Sequence, residues 1–437
     1  MLIYSGVFKN AEENPQKVCM IFGERKITYG ELVESINKRA IFLAGKYTMG
    51  EKIVIGNMNP FNTIINFLAC SRAGLISIPV NPKTSSCQMD EIMKKVNASF
   101  IMDDRSCFDL DKEGENLKLP HIEDSYIFLG ALSSGTTGHS KIIWRDHKSW
   151  TSAFKYQSEV FHISRKDVLF LAGYLSYTAN LNSALHILNE GGSIVFSKSI
   201  YPRTWIKEMK QNDVTSIFMV PAHYRILLKE LGEDLDQIRS VLSAGDKLDE
   251  KTACKLKNRF SNAHICEYYG ASELGHVAYM DFTETYREGC VGKAFPQVKF
   301  WLENNLIWVK SPYIAPNFRP KATVGDIGKI DGQGNLYVLG RKNNTINKGG
   351  VKILPYNIEK VLNNHPSVLK SVVFGIKHPV KGEETGAVIL SKDDTLTEKY
   401  IREYCKTHLK PYLQPRKIRI VKNFKLNSNG KIDMNAL

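Results

Sequence analysis

The sequence predicts an α/β fold, with a large amino-terminal domain of parallel-rich sheets covered by helices and a small carboxyl-terminal α+β domain. Short apolar segments typical of buried strands alternate with segments of helical periodicity along most of the chain, and this pattern indicates parallel sheets covered by helices. The chain has 437 residues, too many for a single hydrophobic core. Its composition, 43% hydrophobic and 24% charged, is that of a globular protein.

The alternation starts near the amino terminus. Residues 28–46 place apolar side chains at helical spacing, with Thr28 as the N-cap and Glu31 completing a capping box. Residues 52–82 then predict a strand, a turn, a helix and a buried strand that ends at Pro79. Further strands and helices are indicated by the segments SIFMV, HYRILLKELG, IRSVLSAG and HICEYYG.

The pattern changes near residue 340. Residues 323–353 are dense in glycine and polar side chains, and beyond them the predicted order is helix, strand, strand, helix and strand. The corresponding segments are PYNIEKVLNNHP, LKSVVFGI, GAVILS, LTEKYIREYCKTHLK and KIRIVK. We therefore predict a first domain over residues 1–340, a hinge at 341–344 and a second domain over 344–437.

Composition limits the classes of function. Eight cysteines are scattered without a C-x-x-C pair, so we expect reduced core cysteines and no structural zinc. No apolar run approaches the roughly 20 residues of a membrane-spanning helix, and the first residues lack signal-peptide features, which predicts a cytoplasmic protein. The net charge of +14 favours an anionic partner, which could be nucleic acid, a phosphorylated small molecule or an acidic carrier protein.

Residues 132–141 (LSSGTTGHSK) have the composition of a phosphate-binding loop. Gly135 and Gly138 allow backbone N–H groups to turn inward, and Lys141 adds a positive charge. Hydroxyl donors are contributed by Ser133, Ser134, Thr136 and Thr137. A Walker loop is absent, because every Gly-Lys pair is followed by Tyr, Ala or Ile. The alternative for this segment alone is a solvated turn rich in hydroxyl groups.

The S-G-T-T-G-x-x-K pattern resembles the signature of the adenylate-forming superfamily, which includes acyl-CoA and aryl-CoA synthetases, luciferases and peptide-synthetase adenylation domains. In type the chain is most similar to short bacterial acyl-CoA ligases. The usual proline before the lysine is Ser140 here and the usual glycine after it is Ile142, so the backbone is less pre-shaped. The resemblance implies that Lys141 and the residues before it hold the phosphates of ATP.

A second motif, Tyr269-Gly270-Ala271-Ser272-Glu273, is similar to the family's Y-G-x-T-E. The resemblance implies that Tyr269 stacks on adenine, that the hydroxyl of Ser272 contacts the α-phosphate, and that Glu273 binds Mg²⁺. Residues 243–247 (SAGDK), with Gly245 at their centre, resemble the loop that lies against the other face of adenine; an ordinary turn after a strand is the alternative.

The remaining nucleotide motifs lie further along the chain. Gly325-Asp326 with Gly328 resembles the family's G-D-x-G, and an aspartate suits ribose because its two oxygens can accept from two vicinal hydroxyls. Gly340-Arg341 matches the family's G-R at the domain junction, where the arginine contacts ribose or phosphate.

The resemblance assigns the carboxyl-terminal domain to both half-reactions. Lys431, in the segment NSNGKI, corresponds to a lysine that contacts the acid carboxylate and the α-phosphate during adenylation. The small domain is then expected to swing about a hinge, which is Asn343 here where the family has Asp or Lys. Asparagine tolerates unusual backbone angles, so a swivel is still reasonable. Gly349 and Gly350 would lie beside a pantetheine arm in a narrow tunnel.

The implied reaction is the ATP-dependent activation of a carboxylic acid to an acyl-adenylate, followed by transfer of the acyl group to a thiol. Tyr177 falls where the family has an aromatic gate to the acid pocket, with a core residue as the alternative. Thr178 follows it and offers no charge partner for an α-ammonium group, so a fatty or aromatic acid is favoured over an amino acid.

Three hypotheses follow from these motifs. The leading one is an acyl-CoA or aryl-CoA ligase that uses ATP, Mg²⁺ and coenzyme A, without a nucleic-acid partner. The second is an adenylating enzyme that loads the phosphopantetheine of an acyl carrier protein, which the basic composition would suit. The third is a non-catalytic nucleotide-binding or nucleic-acid-binding protein, and the retention of Lys141 and Lys431 argues against it.

Overall fold

The computed structural model describes residues 1–106, 118–133, 141–282, 287, 289–379 and 382–425. The chain divides into two compact units, the first made of residues 1–288, 292–299 and 309–322 and the second of residues 289–291, 300–308 and 323 onward. The predicted α/β class is confirmed by the element order given below.

The helices of the first unit are α1 (Ser5–Glu13), α2 (Tyr29–Lys46), α3 (Pro60–Arg72), α4 (Ser86–Val96), α5 (His147–Phe161), α6 (Thr178–Glu190), α7 (Pro202–Gln211), α8 (Pro221–Glu230) and α9 (Glu250–Arg259). Its strands are β1 (Val18–Phe22), β2 (Arg25–Thr28), β3 (Lys52–Ile55), β4 (Ile76–Pro79), β5 (Phe100–Met102), β6 (Ile127–Ser133), β7 (Lys141–Asp146), β8 (Val168–Leu171), β9 (Ser193–Phe196), β10 (Ser216–Met219), β11 (Ser240–Ala244), β12 (His264–Ala271) and β13 (Gly275–Asp281). The capping box predicted for α2 is present, because Thr28 Oγ1 accepts from Glu31 N at 3.2 Å and Glu31 Oε2 accepts from Thr28 N at 2.7 Å.

Two sheets organise the first unit. In the larger one the order is β13-β12-β11-β10-β8-β9-β1-β2, and every pair from β12 to β1 is parallel. Strands β9, β10 and β11 are buried along their whole length, as expected for a parallel sheet covered on both faces. The smaller sheet has the order β5-β3-β4-β6-β7 and is parallel except for the β6–β7 pair.

Strands β14 (Cys290–Ala294), β15 (Lys299–Glu303) and β16 (Leu306–Lys310) each have residues in both units. The second unit continues with β17 (Asp326–Ile330), β18 (Leu336–Arg341), β19 (Ile346–Lys348), β20 (Val351–Ile353), α10 (Pro355–Asn363), β21 (Lys370–His378), β22 (Gly382–Leu390), α11 (Glu398–His408) and β23 (Lys417–Val421). Short 3₁₀ helices occupy Pro316–Phe318, Lys342–Asn344 and Pro411–Leu413. The order of elements predicted after residue 353 is confirmed.

The two compact units are divided at other residues than the predicted domains, whose bounds stay a prediction. Residues 323–341 belong to the second unit, because β17 pairs with β18 along its whole length and with β16 at Leu306. The glycines of this segment lie in and between strands. Residues 341–344, predicted as the hinge, lie inside the second unit between β18 and β19, and their hinge role stays a prediction.

Other expectations concern the cysteines and the membrane. The cysteines of the described residues are free thiols, and most are buried as expected, but Cys87 on α4 and Cys254 on α9 are exposed. Among the described residues, no helix is both long enough and apolar enough to cross a membrane.

Candidate active site

Several predicted residues lie at the carboxyl ends of the parallel strands of the larger sheet. Gly245 follows β11, and Tyr269 and Gly270 lie near the carboxyl end of β12. Tyr177 lies between β8 and the first residue of α6. Because parallel strands point the same way, these residues share one edge of the sheet, where α/β proteins bind their ligands.

The ends of the predicted phosphate loop are fixed on neighbouring strands. Ser133 ends β6, Lys141 begins β7, and the two are register partners in the antiparallel pair. Lys141 is exposed. The predicted loop residues between them, Ser134, Gly135, Thr136, Thr137, Gly138 and Ser140, lie outside the described part of the chain.

The Y-G-A-S-E motif forms a tight turn between β12 and β13. Ala271 and Gly275 are register partners, and Leu274 N donates to the Ala271 carbonyl at 3.1 Å. Gly270 must be glycine, because an added Cβ would lie 2.4 Å from the Gly275 carbonyl oxygen. Ser272 and Glu273 therefore lie at the tip of a turn whose geometry is fixed by close backbone contacts.

A buried arginine is hydrogen-bonded to this turn. Arg145, on β7, is only 2% exposed, and its guanidinium donates to the carbonyls of Ser272 at 2.9 Å, Tyr313 at 2.7 Å and Ser149 at 3.0 Å. Burial lowers the pKa of Arg145 to about 9, so the side chain is still a cation at neutral pH. The Glu273 carbonyl accepts from Ala315 N at 2.9 Å, which fixes the other side of the turn.

Sequence reasoning missed Arg145, although a signal was available. In β7 the buried face carries Ile143 and Arg145, two residues apart, so a charge stands where the strand alternation requires an apolar residue. The next residue, Asp146, forms an ion pair that also fixes the end of β7. It caps α5 by accepting from Ser149 N at 2.9 Å, and it accepts from Arg319 at 2.8 Å. Arg319 also donates to the Ile314 carbonyl at 3.1 Å.

Gly245 and Tyr177 lie in direct contact. The backbone of Gly245 has φ +90°, and an added Cβ would lie 2.1 Å from the Tyr177 hydroxyl. Glycine is therefore required here both by backbone conformation and by the tyrosine. Burial, together with the nearby Asp246 carboxylate, raises the pKa of Tyr177 to about 12.

Glu267 is a second buried ionisable group that sequence reasoning missed. It precedes Tyr269 by two residues on β12, is 4% exposed, and accepts from Leu248 N at 2.5 Å. Its Oε2 and the Oγ of its register partner Ser243 have no hydrogen-bond partner within the described residues. Burial raises the pKa of Glu267 to about 7. The carboxyl group is thus a potential hydrogen-bond donor or acceptor near neutral pH.

In the second unit two predicted ribose contacts form an ion pair. Asp326 on β17 and Arg341 on β18 are register partners, and Arg341 Nε donates to Asp326 Oδ1 at 3.0 Å. Asp326 is 4% exposed, while about half of the arginine side chain is accessible. The arginine therefore orients the carboxylate and keeps donors available for another anion.

The residues predicted to lie beside the pantetheine arm are also in the second unit. Gly349 and Gly350 have φ +58° and +86° between β19 and β20, and an added Cβ at either would meet no atom within 4 Å. Positive φ, and not crowding within this unit, is what requires glycine here. Asn343 is an exposed residue of a 3₁₀ helix, and Lys431 lies outside the described residues.

Comparison with known families gives the chain its class. The model of the AMP-binding enzyme family matches residues 7–127 and 123–306, and the model of the AMP-binding enzyme C-terminal domain matches residues 357–431. The chain belongs to the AMP-binding enzyme family. Membership confirms the adenylate-forming superfamily indicated by the motifs, and together with the acyl-CoA ligase relatives given below it supports an AMP-forming enzyme of the acid–thiol ligase type.

Curated relatives align over almost the whole chain. The chain is 25% identical over 432 residues to the putative long chain fatty acid-CoA ligase VraA of Staphylococcus epidermidis, covering 96% of this chain and 94% of the relative. It is 26% identical over 458 residues to the uncharacterized acyl–CoA ligase YhfT of Bacillus subtilis, covering 97% and 95%.

Solved structures share the fold at lower identity. ATP-bound MatB from Rhodopseudomonas palustris has a TM-score of 0.88 and 22% identity, with 100% of this chain and 98% of that chain covered. The o-succinylbenzoate CoA synthetase MenE from Bacillus subtilis, in complex with the acyl-adenylate intermediate OSB-AMP, has a TM-score of 0.86 and 20% identity, with 98% and 97% covered.

Proposed function

We propose that this protein is an acid–CoA ligase that activates a fatty or aromatic carboxylic acid without an α-ammonium group. In the first step a carboxylate oxygen of the acid attacks the α-phosphorus of ATP, and pyrophosphate leaves. In the second step the thiol sulfur of coenzyme A attacks the acyl carbon, AMP leaves, and a thioester forms. The observation that supports this most directly is the Ser272–Glu273 turn, anchored by Arg145 at the edge of the sheet.

The first step brings anions together, so the protein has mainly to position and neutralise them. In this proposal Lys141 contacts the phosphates from the start of β7, and the Ser272 hydroxyl contacts the α-phosphate. Lys431 supplies a second cation from the carboxyl-terminal segment. No general base is required, because the acid is already ionised at neutral pH.

Magnesium fits the residues present. Glu273 offers one carboxylate, and Mg²⁺ in nucleotide sites is held by one or two carboxylates together with water and substrate phosphates. The described residues contain no cluster of three or more His, Cys, Asp or Glu side chains that would make an all-protein site. When bound, the ion would neutralise charge on the phosphates.

Residues for the nucleoside are proposed in each unit separately. Tyr269 and the Gly245 turn would enclose adenine, and Asp326, oriented by Arg341, would accept from the ribose hydroxyls. For the second step Asn343 would act as the hinge, and Gly349 and Gly350 would lie beside the pantetheine arm. The alternative acceptor is the phosphopantetheine of a carrier protein, which the net charge of +14 would favour.

Acid-dependent exchange of labelled pyrophosphate into ATP tests the first step, and release of AMP with thioester formation on adding coenzyme A tests the second. Lys141→Ala is expected to slow the exchange by about a hundredfold, as for loss of a charge that stabilises a transition state. Lys148→Ala is the matched control, because Lys148 is an exposed lysine on the next helix. Absence of exchange with every acid of a broad panel would refute the proposal. Adenylate formation without a thioester from coenzyme A would favour the carrier protein.

A further inference from the structure

Glu267 is a buried carboxyl group that the proposed reaction does not use. It is 4% exposed, and its Oε1 accepts a hydrogen bond from Leu248 N at 2.5 Å. Within the described residues its Oε2 has no hydrogen-bond partner, and neither has Oγ of Ser243, its register partner on β11. A buried carboxyl group that is satisfied on one oxygen only costs stability. Such a group is a candidate for a role in a nearby site.

The position of Glu267 connects it to the residues proposed for adenine. Tyr269 follows it by two residues on β12, so the two side chains point to the same face, about 7 Å apart along the strand. On the neighbouring strand Ala244 is the register partner of Tyr268. The next residues of the two strands are therefore Gly245 and Tyr269, the two that were proposed to enclose the base.

Glu267 also fixes the loop that begins at Gly245. Residues 245–248 join β11 to α9, whose N-cap is Asp249. At the start of this loop Gly245 lies against the Tyr177 hydroxyl, which a Cβ added to the glycine would approach to 2.1 Å. At its end Leu248 is fully buried and donates its backbone N–H to the Glu267 carboxyl group. One contact thus holds each end of the loop.

From these contacts we infer that Glu267 is a positioning residue for the nucleotide. Its carboxylate holds the 245–248 loop in the conformation that binds adenine, and protonation of the carboxylate loosens the loop. The inference rests on the proposed function, and in particular on the adenine contact of Gly245. A hydrogen bond to an ionised acceptor is about twice as strong as one to a neutral acceptor. Because affinity falls with the fraction of molecules in the binding conformation, Mg-ATP should bind more tightly to the ionised form.

The charge on Glu267 changes near neutral pH. Burial raises the pKa of its carboxyl group to about 7, and the charged groups that act on it are Lys247, which opposes the rise, and Asp246 and Asp249, which add to it. The two strand neighbours bring no charge, since the register partners of Glu267 are Ser243 and Met280. The carboxyl group is ionised above its pKa and protonated below it. Affinity for Mg-ATP should therefore increase as the pH rises through about 7.

Equilibrium titration of the protein with Mg-ATP between pH 6 and 8.5 tests this inference and requires no acid substrate. Glu267→Gln keeps an acceptor for Leu248 N but cannot ionise. The ratio of its Kd to that of the wild type should be about one at pH 6 and rise to about fivefold at pH 8.5, the difference between a neutral and a charged acceptor. The ionisation of ATP itself cancels in this ratio. Glu267→Leu, which has no acceptor, should bind Mg-ATP more weakly than Glu267→Gln at every pH.

Asp167→Asn is the matched control. Asp167 is another buried carboxylate that accepts from the backbone of a loop, with Ser164 N at 2.8 Å. It directly precedes β8 and therefore lies at the opposite edge of the larger sheet from Gly245 and Tyr269. This variant should lose stability in chemical denaturation and keep the wild-type Kd for Mg-ATP at every pH.

The outcomes separate this inference from the proposed function. A Kd ratio for Glu267→Gln that stays constant over the pH range, or a Glu267→Leu variant that binds Mg-ATP as tightly as the wild type, would overturn the inference and leave the ligase reaction standing. The same pH-dependent ratio in Asp167→Asn would also overturn it, because the effect would then reflect a general loosening of the fold. Wild-type protein that binds no Mg-ATP at any pH would remove the proposed function and this inference together.

Discussion

Replacing Arg145 by methionine tests whether the buried guanidinium positions the Ser272–Glu273 turn. The change removes the donor of three backbone carbonyls, and an unsatisfied buried acceptor costs about 1–3 kcal/mol. It also removes a buried cation, whose pKa is lowered to about 9; a fall of that size from the ordinary arginine value corresponds to about 5 kcal/mol of burial cost. The two effects oppose each other.

Arg145→Met should therefore change the free energy of unfolding by no more than about 3 kcal/mol, as when other buried charges are replaced by apolar side chains. The turn that carries Ser272 and Glu273 loses its support nonetheless. We expect kcat/KM for Mg-ATP to fall by about a hundredfold, because small displacements of positioned groups have effects of that size. The midpoint of activation by Mg²⁺ should rise by about tenfold.

The assay is pyrophosphate exchange as a function of ATP and Mg²⁺, combined with chemical denaturation of each variant. Arg319→Met is the control, because Arg319 supports the same segment through Ile314 and Asp146 without reaching Ser272. It should lose stability with an unchanged Mg²⁺ midpoint. Arg145→Lys should keep the charge but restore only part of the activity, since lysine cannot span three carbonyls. Equal Mg²⁺ midpoints in wild type, Arg145→Met and Arg319→Met would refute the positioning role.

Three further predictions use other parts of the chain. Lys431→Ala should slow adenylate formation by about a hundredfold but spare thioester formation from a supplied adenylate; equal losses in the two half-reactions would count against a two-site mechanism. Gly245→Ala should cost about 1–2 kcal/mol of stability from positive φ alone, plus the clash with the Tyr177 hydroxyl. In a Tyr177→Phe background the clash contribution should disappear, and additive losses in denaturation would contradict the contact. Acid should destabilise the fold, because the buried histidines are neutral in the folded protein. The stability they contribute is present above their unfolded pKa near 6.5 and is lost as the pH falls, by about 1.4 kcal/mol per pH unit for each histidine. Denaturation series at several pH values would detect this loss. Glu267, whose pKa is raised to about 7, has a pH effect of opposite sign and cancels the contribution of about one histidine. A free energy of unfolding that does not change between pH 6 and 4.5 would contradict the burial of His147, His186, His223 and His276.

Local patterns were sufficient for the regular elements. The capping box of α2, the buried strands of the larger sheet and the order of elements after residue 353 follow from periodicity and turn chemistry that act within a few residues. In the region from 323 to 341 the sequence showed no strand pattern, because its strands are rich in glycine and polar residues. Their identity as strands depends on partners distant in sequence, such as Leu306 opposite Ile327.

In the candidate site, too, local sequence patterns identified some residues, and others depend on contacts distant in sequence. Motifs identified the residues at the turns, where close backbone approach requires glycine at positions such as 245 and 270. They did not identify Arg145 or Glu267, because the importance of a buried polar side chain depends on which backbone groups the fold brings to it. Two of the three hydrogen bonds of Arg145 are to residues 127 and 168 positions further along the chain.

Strand β7 joins two motifs that the sequence presents as independent. Its first residue, Lys141, ends the predicted phosphate loop, and its fifth, Arg145, holds the carbonyl of Ser272. Four residues of strand span about 13 Å, so one rigid element fixes the separation between Lys141 and the Ser272–Glu273 turn. A shift of β7 along its own axis would move both motifs together, whereas loss of Arg145 would uncouple them. Lys141 and Glu273, the proposed phosphate and magnesium ligands, should therefore respond as one unit to changes in β7, and as two units once the arginine is removed.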